Sequence, residues 1–195
     1  GTSMSVLRDG VIQLAQGTAD PSELKRSYEM EKLQYPQGAL RMRFSENHDK
    51  TRSATLIPDR ELNLTAWAFI ALMDGNPLIY AGQEIGTKGN YLPALFEKIP
   101  LKWKQGDMAI SQVMSAVLQI RKEHLTSASP FKFIIANNDK KILAYQHGPL
   151  LGFFNFSDSD FKFKAGGIDS VLMGDLPLDE AGNFILSPHR FTVVK

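Results

Sequence analysis

Residues Arg43 to Arg52 read RFSENHDKTR. The segment just before it, ALRMRF, alternates Leu40, Met42 and Phe44 with Arg41 and Arg43, the period-two pattern of a strand with two different faces. The run then gives way to Asn47, His48 and Asp49, followed at once by Lys50 and Arg52. Asn and Asp are ordinary turn formers, so a polar turn alone accounts for these residue types. Their position after a strand adds the second reading, a site. Lys50 and Arg52 stand close enough in sequence to keep the Asp49 carboxylate ionised, and His48 is a donor suited to a sugar hydroxyl or a carbonyl oxygen.

The neighbouring segments supply the frame. Upstream, SVLRDGVIQLAQG carries Val6, Leu7, Val11, Ile12 and Leu14 at helical spacing and closes on Gly17. A second helix is expected from Pro21 to about Gln34, with Asp20 as cap, Pro21 in the first turn and Glu23 completing a capping box. Downstream, RELNLTAWAFIALMDG is apolar around most of a helical circumference and stops at Gly75, which predicts a buried helix. NPLIYAG reads as a short apolar strand, and the residues after it as a long loop of the kind that carries function. The last helix of this half places Ile110, Val113, Met114, Val117 and Leu118 on one stripe. Two strand-then-helix units in series suggest a parallel sheet or a βα-barrel, whose chemistry sits on loops at the carboxyl ends of the strands.

After Pro130 the texture becomes short alternating or apolar runs cut by Asn137-Asn138-Asp139, His147-Gly148-Pro149 and Gly166-Gly167, an all-β pattern. The boundary falls near residues 127–130. The fold class expected is therefore α/β followed by all-β, with residues 1–128 in the first part and 129–195 in a small antiparallel β-sandwich domain.

Composition narrows the classes of function. Lys and Arg total 22 against 21 Asp and Glu, a balance without the footprint of nucleic-acid or anionic-membrane binding. The chain has no cysteine, which excludes disulfides, thiolate metal sites and cysteine nucleophiles together. No apolar run reaches the roughly 18 residues of a membrane span, and the amino-terminal residues lack a leader-like apolar core. Gly1 reads as a tag remnant, and a piece of a longer protein need carry no address, so no localisation is assigned. No nucleotide fingerprint or nucleophile elbow is present. His124, at a helix end, and His147 and His189, beside turns, need no metal role.

A second polar pair, Gln83 and Glu84, follows the second strand. Adjacent strands would bring Glu84 towards Asp49, and two carboxylates over a pocket suggest glycoside hydrolysis. The alternative is that Glu84 orients the loop or pairs with an arginine.

MRFSENHDKTR followed about thirty residues later by NPLIYAGQEIG, with a helix between, a helix after and a small β domain ending in FILSPHRFTVVK, resembles the seventh and eighth strands and the carboxyl-terminal domain of the alpha-amylase superfamily, glycoside hydrolase family 13. The resemblance runs over nearly the whole chain. It implies a partial (β/α)8 barrel, the last two βα units, followed by the β domain. It implies that Asp49 is the carboxylate that stabilises the oxocarbenium-like transition state, that His48 hydrogen-bonds the same sugar, that Asn47 shapes the loop and that Arg52 is a contact candidate. Gln83 and Glu84 match the end of the eighth strand and carry architecture more than chemistry.

The family's nucleophilic aspartate and general acid glutamate come from segments that have no counterpart here. The resemblance thus implies the carboxyl-terminal portion of a retaining glycosidase of starch and maltooligosaccharides, inactive alone, with no cofactor and no calcium. Open strand edges imply a homo-oligomer or association with the missing part of the barrel. The rival reading is a non-catalytic module that binds glucan or a partner.

Overall fold

The computed structural model describes residues 3–36, 38–90 and 96–195. Helices α1 (Ser3–Ala15) and α2 (Pro21–Gln34) pack on each other and lead into strand β1 (Met42–Arg43). A short helix α3 (Ser53–Leu56) and the apolar α4 (Arg60–Leu72) follow, then β2 (Asn76–Pro77), 3-10 turns at Gln83–Ile85 and Trp103–Gln105, and α5 (Met108–His124). The order expected from periodicity is present. Helix α2 begins as its cap residues require, the Asp20 amide donating to the Glu23 carboxylate at 2.9 Å. Part of the long loop after β2, residues 91–95, lies outside the described residues.

The two strands pair in parallel, Met42 with Asn76 and Arg43 with Pro77, and are much shorter than the apolar runs around them. Their faces also differ from the expected pattern. Arg41 and Arg43 are buried, while Leu40 is 51% exposed. The reason is ionic. Arg43 donates to both oxygens of Glu31 on α2 at 2.8 and 3.1 Å, to the Asp74 carbonyl at 2.8 Å and to its carboxylate at 3.2 Å. Arg41 and the Tyr28 hydroxyl donate to the other Asp74 oxygen. Both guanidinium groups lie over the Tyr28 ring. An arginine whose charge is matched this way can occupy the packed face of a strand. Gly75 completes the junction at φ +101°, because a Cβ there would sit 2.2 Å from the Arg41 carbonyl oxygen.

Strands β3 (Phe131–Asn137), β4 (Ile142–His147), β5 (Leu150–Asn155), β9 (Phe191–Val194) and β7 (Val171–Met173) form an antiparallel sheet in the order β3-β4-β5-β9-β7, and β6 (Phe161–Phe163) pairs with β8 (Phe184–Leu186). One sheet face sends Leu143, Tyr145, Phe154 and Val193 into the same apolar cluster as Phe69, Leu72 and Val117 of α4 and α5, so this core crosses residue 128 without a break. The Tyr145 hydroxyl donates to the Phe69 carbonyl at 2.8 Å. The other face buries Ala144, Phe153 and Val194 with Leu186, Phe161 and Phe163 of the β6–β8 pair. A bulge in β3 between Phe133 and Ile135 turns Phe133 to the first cluster and Ile135 to the second.

Replacing Arg43 leaves Glu31 buried without its main partner. Arg43→Met is expected to cost about 3–5 kcal/mol, measured by urea unfolding. Adding Glu31→Met is expected to recover part of the loss, since it removes the stranded charge. A double variant no better than the single one would show that the arginine acts through packing instead.

His147 ends β4, buried against α4, with its Nδ1–H donating to the Leu72 carbonyl at 2.8 Å. Burial is the main cause that holds its pKa below the ordinary value of 6.5. The unfolded chain therefore takes up this proton first. The His147 contribution to stability is complete above about pH 6.5 and is lost as pH falls from there through the lower folded value. Unfolding between pH 7.5 and 5 should show a flatter loss of stability in His147→Gln than in the parent chain.

Candidate functional site

The loop after β1 is gripped from several sides. Arg8 lies on the same helical stripe as Val11 and Ile12, 6% exposed. It reaches across from α1 and donates through Nε to the Ser45 carbonyl at 2.9 Å and through Nη2 to the Thr51 carbonyl at 3.0 Å, one on each side of the turn. Glu46 is buried at 1% exposure. Its carboxylate accepts from Arg52 Nη1 at 2.6 Å, from the Ser53 amide at 2.6 Å and from the Ser53 hydroxyl at 3.0 Å. The Ser53 contacts tie the loop to the first turn of α3.

Arg52 also joins this loop to the one after β2. Its Nη2 donates to the Ala81 carbonyl at 2.9 Å, its guanidinium lies 4.2 Å from the centre of the Tyr80 ring, and its amide donates to the Gly89 carbonyl at 3.0 Å. Gln83, buried, donates to the Ser45 hydroxyl and accepts from the Tyr80 amide at 3.3 Å. Glu84 folds back on its own turn, accepting from the Gly82 amide at 2.7 Å. That bond gives Glu84 a turn-forming task.

Within this frame the central residues face outward. Asn47 Oδ1 accepts from the Asp49 amide at 3.0 Å and so fixes the turn. His48 Nε2 and Asp49 Oδ2 are 3.4 Å apart, with side chains 64% and 61% exposed. Lys50 reaches Asp9 of α1 at 3.6 Å, an ion pair directed away from Asp49, whose side-chain neighbour is the His48 imidazole. A carboxylate and an imidazole thus stand side by side at the carboxyl end of β1 and can meet one hydroxylated ligand together. A cleft of about 470 Å³, which Arg52 of this loop reaches, is lined also by Tyr80, Lys88, Asn90 and Leu101.

The structure brings Asn47, His48, Asp49 and Arg52 onto one loop and sets Gln83 beneath it. Arg8 and Glu46 escaped the reading of the sequence. Arg8 left a signal, a charge on the buried stripe of α1. Glu46 left none, because an acidic residue before a polar turn looks solvent-facing. The other histidines lie elsewhere: His189, at φ +56°, pairs with Asp158 at 2.8 Å and Asp59 at 3.5 Å.

A family profile described as the alpha amylase catalytic domain matches residues 7–140. Alpha-amylase 1 of Schwanniomyces occidentalis is 32% identical over 119 residues, which are 57% of this chain and 23% of that protein. In fold, the chain superposes on the Nostoc punctiforme debranching enzyme, acarbose soaked, with a TM-score of 0.77 at 15% identity, covering 98% of this chain and 45% of that one. The alpha-amylase from H. orenii gives 0.76 at 16% identity, covering 97% and 47%. The chain therefore spans about a quarter of that curated relative and less than half of each of these solved chains.

The burial of the two carboxylates separates their tasks. Arg52→Ala should cost about 1–3 kcal/mol, because it leaves the buried Glu46 short of a donor. Asp49→Asn should change stability by no more than about 0.5 kcal/mol, as expected for an exposed group. Parallel urea unfolding of the two variants checks this, and equal losses would make Asp49 a structural residue.

Proposed function

The chain belongs to the alpha-amylase family, and from that premise we propose that it is the carboxyl-terminal part of a glycoside hydrolase acting on α-glucans. The observation that carries this reading is the outward placement of His48 and Asp49 on a loop whose other groups are tied down. Asp49 is read as the carboxylate that binds the sugar at the cleaved bond and stabilises the oxocarbenium-like transition state. His48 donates to a hydroxyl of the same sugar, and Asn47 holds the turn that presents both. Arg52 has Nη1 and Nη2 engaged by Glu46 and Ala81, so we assign it to positioning the loop at the edge of the cleft.

On this reading residues 1–128 supply the last two βα units of a (β/α)8 barrel, and residues 129–195 a β-sandwich domain docked against them. Asp49 supplies electrostatic stabilisation, and Glu84, occupied in its own turn, does not serve as its carboxylate partner. Bond cleavage then depends on a nucleophile and a general acid from other segments. The chain alone is expected to release no reducing sugar from soluble starch or maltooligosaccharides. A chimera that joins it to the amino-terminal part of alpha-amylase 1 of Schwanniomyces occidentalis is expected to do so, and to lose at least about a hundredfold in kcat on Asp49→Asn. Turnover by the chain alone, abolished by Asp49→Asn, would reassign the nucleophile and acid.

The β1–β2 pair has no further strand on either side among the described residues. Open edges favour pairing with another chain, so the partner expected is a second copy or the remainder of the barrel. Solution scattering at rising concentration should show association, and a monomer throughout would count against it.

A further inference from the structure

The largest cavity described, about 810 Å³, lies at the other end of the two parallel strands. Arg41 directly precedes β1 and Asp74-Gly75 directly precedes β2, and all three line it, whereas His48, Asp49 and Arg52 follow the carboxyl end of β1. The cavity is therefore separate from the loop described above. Its volume falls within the range of about 300–1,000 Å³ usual for small-molecule sites.

The lining decides what fits. Its charges are two cations, Lys32 and Arg41, and two carboxylates, Glu29 and Asp74, so the wall offers no net field to an ion. Behind Arg41 stand Glu31 and Arg43, themselves an ion pair, which leave that balance unchanged. The polar residues Tyr35, Ser127 and Ser129 line it together with the apolar Leu33, Leu40 and Pro130. In a charge-balanced site a neutral, hydroxylated ligand binds without the desolvation cost of an anion. Polar and apolar residues together match a pyranose, which has hydroxyls around its rim and C–H faces above and below.

We propose that this cavity binds a short neutral oligosaccharide at a site distinct from the Asn47-His48-Asp49 loop. The choice of an α-glucan as first probe rests on the function proposed above, whereas the assignment to a neutral saccharide rests on the cavity itself. Ala128 is exposed on the rim, and Ala128→Trp fills the mouth without disturbing the core. Lys32→Ala removes a donor from an exposed position.

The test is calorimetric titration of the chain with maltotriose and, separately, cellotriose, for the parent, Ala128→Trp, Lys32→Ala and the double variant His48→Ala/Asp49→Asn. Melting temperatures of all four are taken as the control for folding. The expected result is saturable binding that Ala128→Trp weakens at least about tenfold, that Lys32→Ala also weakens, and that the double variant leaves in place. Binding of cellotriose alone with the same dependence on Ala128 would uphold the cavity and count against the α-glucan reading. Binding lost only in the double variant would overturn the cavity while supporting the loop as a glucan site. No binding of either trisaccharide, or binding indifferent to both Ala128→Trp and Lys32→Ala, would also overturn it.

Discussion

The matched set of Arg41, Arg43, Glu31 and Asp74 is the constraint on which the arrangement of the first half depends. A two-residue parallel pair contributes too few backbone hydrogen bonds to orient itself. Arg43 does that orienting, because its guanidinium reaches α2 through Glu31 and the turn before β2 through Asp74. The geometry has little latitude: one buried carboxylate left unpaired is costly, and a shift of either strand separates charges that sit near 3 Å apart. The network also adds hydrogen bonds to backbone, as from Arg43 Nε to the Asp74 carbonyl, so it holds the main chain as well as side chains.

This staple runs from Arg41, before β1, through Arg43 within it to Asp74, before β2, and leaves the segments after the strands to the loops. There a second set of clamps takes over, with Arg8 from α1, Glu46 with Arg52, and Gln83 with Ser45. All of them act on groups around the turn, and the Asn47 side chain fixes the turn from within. The consequence is an exposed histidine and carboxylate whose positions are set by buried neighbours. A loop organised in this way loses little freedom when a ligand arrives, which is how rigid support becomes binding strength.

The helices were legible because their signals are local. Asp20 with Glu23 and Gly17 after α1 act within one turn of chain, and the stripe of Ile110, Met114 and Val117 requires only periodicity. The quoted loop was legible as a site because polar residues cluster at a strand end. What periodicity could not show was which face of ALRMRF is packed. Alternation separates two faces and does not rank them, and the partners that bury the arginines, Glu31 and Asp74, are 12 and 31 residues from Arg43 in the chain. Glu46 was missed for the same reason, since its burial is set by Arg52 and Ser53, whereas Arg8 stood out only as a charge on an apolar stripe.

The β half stabilises the other side of this design. Phe69 meets Phe133, Tyr145, Phe154 and Phe156 at ring-centre distances of 5.2–6.2 Å, so α4 is gripped by the sheet along the stretch that leads to Asp74. Arg121 of α5 donates to the Ala71 and Met73 carbonyls at 2.9 and 2.7 Å and closes the carboxyl end of the same helix. Asp74 is therefore placed by aromatic packing and a helix cap before it pairs with any arginine. The sheet, the helix end, the ion network and the strand pair form one chain of dependence. A residue on β5 that loosens α4 would be felt, through Asp74, at the strands that carry the loop.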